Sequence, residues 1–248
     1  MAVSPGSGLL RDVANGRDVN VESLTALKDR LVVSCQAYPG EPMQAPLIMA
    51  AVAESVVNGG AAGIRAQGLA DIREVRRSVT VPLIGLIKSG LGDVFMTPTI
   101  EDCIAVSKAG ADIVAFDGTS RPRPDGSSLS DCATVVHGLG KLVLADCGSM
   151  QDAEASIDAG ADCLATTLAG YTGDRPRTHG PDLKLLQELV SISPIPVIAE
   201  GRVRTPTEAL RCLELGAHAV VVGTAITHPT SIAQIFTRKM AIVQRGDT

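Results

Sequence analysis

The chain has 248 residues, 45% of them hydrophobic and only 2% aromatic, with no tryptophan and a formal net charge of −5. That length supports one large domain with a substantial core. The acidic balance, with no basic runs carrying aromatics, argues against a nucleic-acid-binding surface.

Taken in chain order, residues 1–20 lack the basic-then-apolar order of a signal sequence. Their Gly, Ser, Asn and Asp content predicts a flexible arm. Residues 21–30 are predicted to form a helix closing the bottom of the fold. Leu31 to Cys35 is the first apolar run, and Gln36 follows it. Gly63-Ile64-Arg65 comes next, then the run ending Leu86-Ile87-Lys88, opened by Pro82. Proline is tolerated at a strand's first residue. A helix is predicted from Thr99 to Ala109, followed by the run Ile113 to Asp117. Further runs end at Asp146, at Thr166-Thr167, at Glu200 after Pro196, and at Gly223. Thr205-Pro206-Thr207-Glu208 reads as an N-cap with proline at the first helical position, opening a helix that reaches Leu215.

Four of these runs follow a glycine in a similar context: Gly60-Ala61, Gly110-Ala111, Gly160-Ala161 and Gly216-Ala217. The spacing is roughly 50 residues, a repeat of paired strand–helix units. Each glycine is expected to end a helix with positive φ. Interleaving the two sets of runs gives eight buried parallel strands and eight connecting segments. The fold class predicted is a single (β/α)8 barrel spanning residues 21–248. An open doubly wound sheet would carry a glycine-rich turn after its first strand. Gln36-Ala37-Tyr38-Pro39-Gly40 is not one.

In such a barrel the C-terminal ends of the strands form one floor, where active sites are built. Lys88 is placed there as an amine whose pKa burial would lower, able to act as a base or form a Schiff base. Glu200 is unfavourable in a strand. It is expected either to tune Lys88 or to serve a second face of the substrate; the structural alternative is an ion pair with Arg202 or Lys88. Gln36, Arg65 and Asp146 are candidate substrate-binding groups, Arg65 through its fork of donors. Asp117 reads as structural, held by the Arg121–Arg123 segment. Gly201, Arg202, Gly223 and Thr224 follow the seventh and eighth strands, where phosphate-binding barrels hold a phosphate group.

The six cysteines form no C-x-x-C pair and sit in apolar stretches, so they read as reduced core residues. The four histidines show no metal-ligand spacing, and neither metal nor cofactor is expected. No run reaches the roughly 20 apolar residues of a membrane span. The chain is therefore expected in the cytoplasm, without a membrane or nucleic-acid partner. A homodimer is one option for its assembly.

Several segments together resemble the N-acylglucosamine-6-phosphate 2-epimerase family, also called N-acetylmannosamine-6-phosphate 2-epimerase. They include Ser34-Cys35-Gln36-Ala37, Gly63-Ile64-Arg65-Ala66, Ile84-Gly85-Leu86-Ile87-Lys88, Leu144-Ala145-Asp146-Cys147, Gly170-Tyr171-Thr172, Ile198-Ala199-Glu200-Gly201-Arg202 and Val222-Gly223-Thr224-Ala225-Ile226. The matching stretches run from Leu31 to Pro229. The resemblance implies a phosphate-binding barrel that interconverts N-acetylmannosamine 6-phosphate and N-acetylglucosamine 6-phosphate, in sialic acid and aminosugar catabolism. It implies Lys88 and Glu200 as catalytic, and Gln36, Arg65 and Asp146 as substrate contacts. The chain departs from the family's pattern at Ser89-Gly90-Leu91, where Arg-Asp-Tyr is usual, and at His228, where the pattern has arginine. Two other readings are a Schiff-base aldolase or lyase on a sugar phosphate, and a non-catalytic sugar-phosphate-binding protein.

Overall fold

The structure, a computed structural model, describes residues 22–90, 92–173 and 175–244; the arm expected over 1–20 lies outside them. Strands and helices alternate as β1 (Arg30–Cys35), α1 (Pro46–Asn58), β2 (Gly63–Gln67), α2 (Leu69–Ser78), β3 (Leu83–Leu86), α3 (Ile100–Ala109), β4 (Ile113–Asp117) and α4 (Leu129–Gly138). They continue as β5 (Leu142–Asp146), α5 (Met150–Asp158), β6 (Cys163–Ala165), α6 (Leu183–Ile192), β7 (Val197–Glu200), α7 (Pro206–Glu214), β8 (Ala219–Val222), α8 (Thr224–Thr227) and α9 (Pro229–Gln244). Neighbouring strands pair in parallel, and β8 closes on β1 through Arg30–Ala219 to Val33–Val222. The architecture is the (β/α)8 barrel that the alternating runs predict.

Local chemistry sets the boundaries. Thr99 caps α3 by accepting from the N–H of Asp102, and Thr205 with Glu208 forms a reciprocal capping box on α7. Gly60, Gly110, Gly160 and Gly216 have φ of 101°, 116°, 94° and 93° and turn the chain from helix into strand. The helix expected over 21–30 is shorter than predicted: among its described residues, 22–25 are helical and 26–29 form turns. Leu27 drops into the barrel bottom, fully buried, and Asp29 takes φ of 59° with its N–H on the carbonyl of His218. That left-handed residue ends any continuation of the helix and aims the chain into β1.

Two apolar layers follow from the pleat. Val33, Ile64, Val114, Val143 and Val220 point outward and pack under the helices. Val32, Ile84, Ile113, Leu144, Ile198 and Val221 point inward and fill the barrel. Gly85 faces outward where α3 approaches closely. A Cβ there would lie 2.7 Å from that of Ala111 and 2.9 Å from Cγ1 of Val106. All six cysteines are buried and none is bridged. No helix among the described residues is long and apolar enough to cross a membrane.

Candidate active site

Successive side chains of a strand point to opposite faces, so every second residue belongs to one face. Counting by two up the inward face leads from the packed interior to the floor of the site. Val32 leads through Ser34 to Gln36, and Ile84 through Leu86 to Lys88. Leu144 leads to Asp146, Cys163 through Ala165 to Thr167, and Ile198 to Glu200. Arg65 is level with Ser34 in the β1–β2 register. Above this floor opens a cavity of about 670 Å³. Gln36, Arg65, Lys88 and Glu200 all line it, as do Gly201, Arg202, Gly223 and Thr224.

Arg65 is the centre of the floor and is 1% exposed. Its Nη1 donates to Asp146 Oδ1 at 3.0 Å and to Glu200 Oε2 at 2.6 Å, and its Nη2 donates to Asp146 Oδ2 at 2.8 Å. Sδ of Met96 lies 3.5 Å from Nη2. Burial opposes the guanidinium charge, but Asp146 and Glu200 outweigh it and hold the proton above the usual arginine range. Its Nε–H is buried without a partner among the described residues. Asp146 is fully buried behind Arg65 and also accepts from the hydroxyl of Thr167. It meets the cavity through Arg65, not with its own surface.

Glu200 pairs with Arg65, a partner different from the Arg202 or Lys88 considered from sequence. Burial raises its carboxyl from 4.5 to about 7; Arg65 opposes that rise and Asp146 adds to it. Lys88 moves the other way. Desolvation lowers its pKa, the charge of Arg65 lowers it further, and Glu200 and Asp146 pull it back up. Its side chain is exposed to the open cavity, so water still screens part of this effect, and a bound substrate that displaces that water strengthens it. Lys88 donates to Gln36 Oε1 at 3.0 Å, and Gln36 Nε2 donates to Ser34 Oγ at 2.8 Å. The backbone beside Lys88 is fixed by an antiparallel bridge to Met96 and by the bond from Thr97 N–H to the Ile87 carbonyl at 2.7 Å.

After β7 the chain turns through Gly201 at φ of 102° and Arg202 at φ of 60°. Arg202 is held in that sparsely populated conformation by its guanidinium. Nε donates to Gly180 O at 3.0 Å, Nη1 to Ala169 O at 2.8 Å and Nη2 to Thr178 Oγ1 at 2.9 Å. Gly223 stands at the N-cap of α8, where the first amides have no intrahelical acceptor. His228 is buried: its Nδ1 contacts Ser231 Oγ at 2.6 Å, its Nε2 lies 3.0 Å from Glu41 Oε2 without hydrogen-bond alignment, and its ring meets Tyr38 edge-on at 4.6 Å. Asp117 stays structural, paired with Arg121 at 2.7 Å, while Arg123 donates to its carbonyl.

Sequence reading missed Thr167 and Met96. Thr167 was reachable by the count of two from Cys163. Met96 arrives through a bridge closed by tertiary folding, and no periodicity announces it.

A closed parallel barrel whose floor joins an amine, a guanidinium and a carboxyl poised near neutrality belongs to the barrel enzymes that move protons on small polar substrates. Residues 49–242 match the family model described as "Putative N-acetylmannosamine-6-phosphate epimerase". The chain belongs to this N-acetylmannosamine-6-phosphate 2-epimerase family. A relative from Cutibacterium acnes, described in the same terms, is 50% identical over 216 residues, covering 86% of this chain and 94% of the relative. One from Clostridium perfringens strain SM101 is 40% identical over 216 residues, covering 86% and 98%. The solved structure of the Clostridium perfringens N-acetylmannosamine-6-phosphate 2-epimerase superposes with a TM-score of 0.85 at 36% identity, covering 95% of this chain and 99% of that one.

Proposed function

We propose that this enzyme interconverts N-acetylmannosamine 6-phosphate and N-acetylglucosamine 6-phosphate by removing and returning a proton at C2, in sialic acid and aminosugar catabolism. C2 of the open-chain sugar adjoins the C1 aldehyde, which acidifies its proton. One observation carries the reading. An amine just beyond β3 and a carboxyl from β7 line one cavity, and both have pKa values moved toward neutrality. Groups with pKa near working pH are the effective proton donors and acceptors.

In this reading Lys88, steadied by Gln36, transfers the proton. Glu200, half protonated near neutral pH, tunes Lys88 or serves the opposite face. Arg65 supplies a fixed positive charge where the enediolate oxygen develops, and Asp146 and Thr167 keep it there. The amides of Gly201, Gly223 and Thr224 and the turn at Arg202 take the phosphate. Six unbridged cysteines support a cytoplasmic setting. The exposed Ile235, Phe236 and Met240 of α9 support a homodimer, which sedimentation of the full chain tests: a monomer at all concentrations refutes it.

The decisive experiment is proton NMR with N-acetylmannosamine 6-phosphate in deuterated water. Formation of the second sugar with deuterium at C2 is expected. Substrate binding without turnover would favour the non-catalytic reading. A covalent adduct trapped on Lys88 by borohydride would favour the Schiff-base aldolase.

A further inference from the structure

The cavity wall built from the β6 and β7 loops carries more positive charge than the reaction centre uses. Arg177, Arg202 and Arg204 all line it, while among the described residues Glu200 is the only carboxylate in the lining and is held by Arg65. Among the described residues none of these three arginines has a carboxylate partner within ion-pair distance. Their guanidinium groups are used differently. Arg202 is a strut, bonded to Gly180, Ala169 and Thr178. It thereby fixes the segment that carries Arg177. Arg177 lies over the Tyr171 ring at 4.7 Å and donates to Tyr171 Oη at 3.2 Å. Arg202 lies over the same ring at 5.3 Å. Arg204 engages Glu208 through its backbone N–H, at 2.7 Å. His228, on the same cavity, is turned to Ser231 and Glu41.

Like charges on one wall repel, and a dianion placed among them reverses that energy. A phosphate monoester carries close to two negative charges at neutral pH and presents oxygens that match the guanidinium fork. We propose that Arg177 and Arg204 are specificity-determining residues that grip the phosphate of the substrate, with Arg202 as the positioning residue that holds Arg177 in place. This rests on the epimerase reading and extends it from backbone amides to side chains of this chain's own loops.

The test compares Arg177→Gln, Arg204→Gln and the double variant with the wild type. Three quantities are read: KM and kcat for N-acetylmannosamine 6-phosphate, and binding of inorganic phosphate by calorimetry. Each single change is expected to raise KM about tenfold, the loss of one charge-assisted hydrogen bond, and the double change about a hundredfold. kcat should move by less than about twofold, because the lost contact is made equally in ground and transition states. Phosphate binding weakens in the same order, and Arg204→Lys recovers part of it. Arg202→Gln raises KM like Arg177→Gln and adds little on top of it, which a purely structural defect would not reproduce. Unchanged KM and unchanged phosphate binding in the double variant would overturn the proposal. A wild type that binds inorganic phosphate through these arginines yet fails to epimerise the sugar would overturn the epimerase reading and leave the clamp standing.

Discussion

Glu200→Gln removes a charge and keeps a shape, so it separates what the carboxylate does for the fold from what it does for the reaction. The carboxyl sits at about 7 in the folded chain against 4.5 for the free group, with burial as the main cause. A raised carboxyl pKa means that the folded state holds the proton more tightly than the unfolded state. Its contribution to stability is therefore flat below 4.5, falls as pH rises from 4.5 to 7, and is flat again above. At about 1.4 kcal/mol per pH unit the ionised group costs the fold about 3 kcal/mol at pH 9. Glutamine mimics the protonated form and still accepts from Arg65. Wild type and variant should therefore unfold in urea with similar free energies at pH 4.5. At pH 9 the variant should be the more stable by about 3 kcal/mol, or several degrees in Tm for a chain of this size. Over the same range its epimerisation should be lower by about 10²-fold or more, the usual worth of a positioned proton-transfer group. A difference in stability that is independent of pH, or a variant less stable at pH 9, would refute the electrostatic account of this floor.

Three further outcomes follow from the same geometry. Lys88→Met should cut both epimerisation and solvent exchange at C2 by about 10²- to 10⁴-fold with little loss of stability. Among the described residues its one side-chain hydrogen bond is to Gln36, and near-wild-type exchange would exclude Lys88 from the chemistry. Asp146→Asn leaves the buried Arg65 without its two-oxygen carboxylate partner and should lower the urea unfolding free energy by about 3 kcal/mol at neutral pH; no change would show that Asp146 is dispensable to the floor. Gly85→Ala forces a methyl group into Ala111 and Val106 and should cost about 1–3 kcal/mol, measured as a shifted urea midpoint without altered slope.

The barrel was legible because its punctuation is chemical and local. Glycine at the helix ends, proline before β3 and β7, and the Thr205–Glu208 box each act within a few residues, and each marks a boundary the chain adopts. The polar endings of buried runs were legible for a related reason: a lysine or glutamate at the end of such a run has no propensity-based cause. Partnership was not legible. Nothing in the spacing says that Glu200 pairs with Arg65, since the two lie on strands far apart in sequence and in sheet order and meet only across the barrel axis. The N-terminal segment shows the opposite failure. Its helical pattern is real, but the need to plug the barrel with Leu27 overrides it. Arg202 reads as a cation beside a phosphate loop, yet three acceptors of the neighbouring segment already engage its guanidinium.

Arg65 has nowhere to swing. Wedged between Asp146 and Glu200, with almost no surface in contact with water, it behaves as an anvil and not as a hand. Any molecule that reaches the floor meets that charge in a fixed position, and adjustment to its shape falls to the loops around the cavity mouth. Natural variation can therefore remodel which molecule is welcomed by altering the rim, while the charged floor beneath stays untouched.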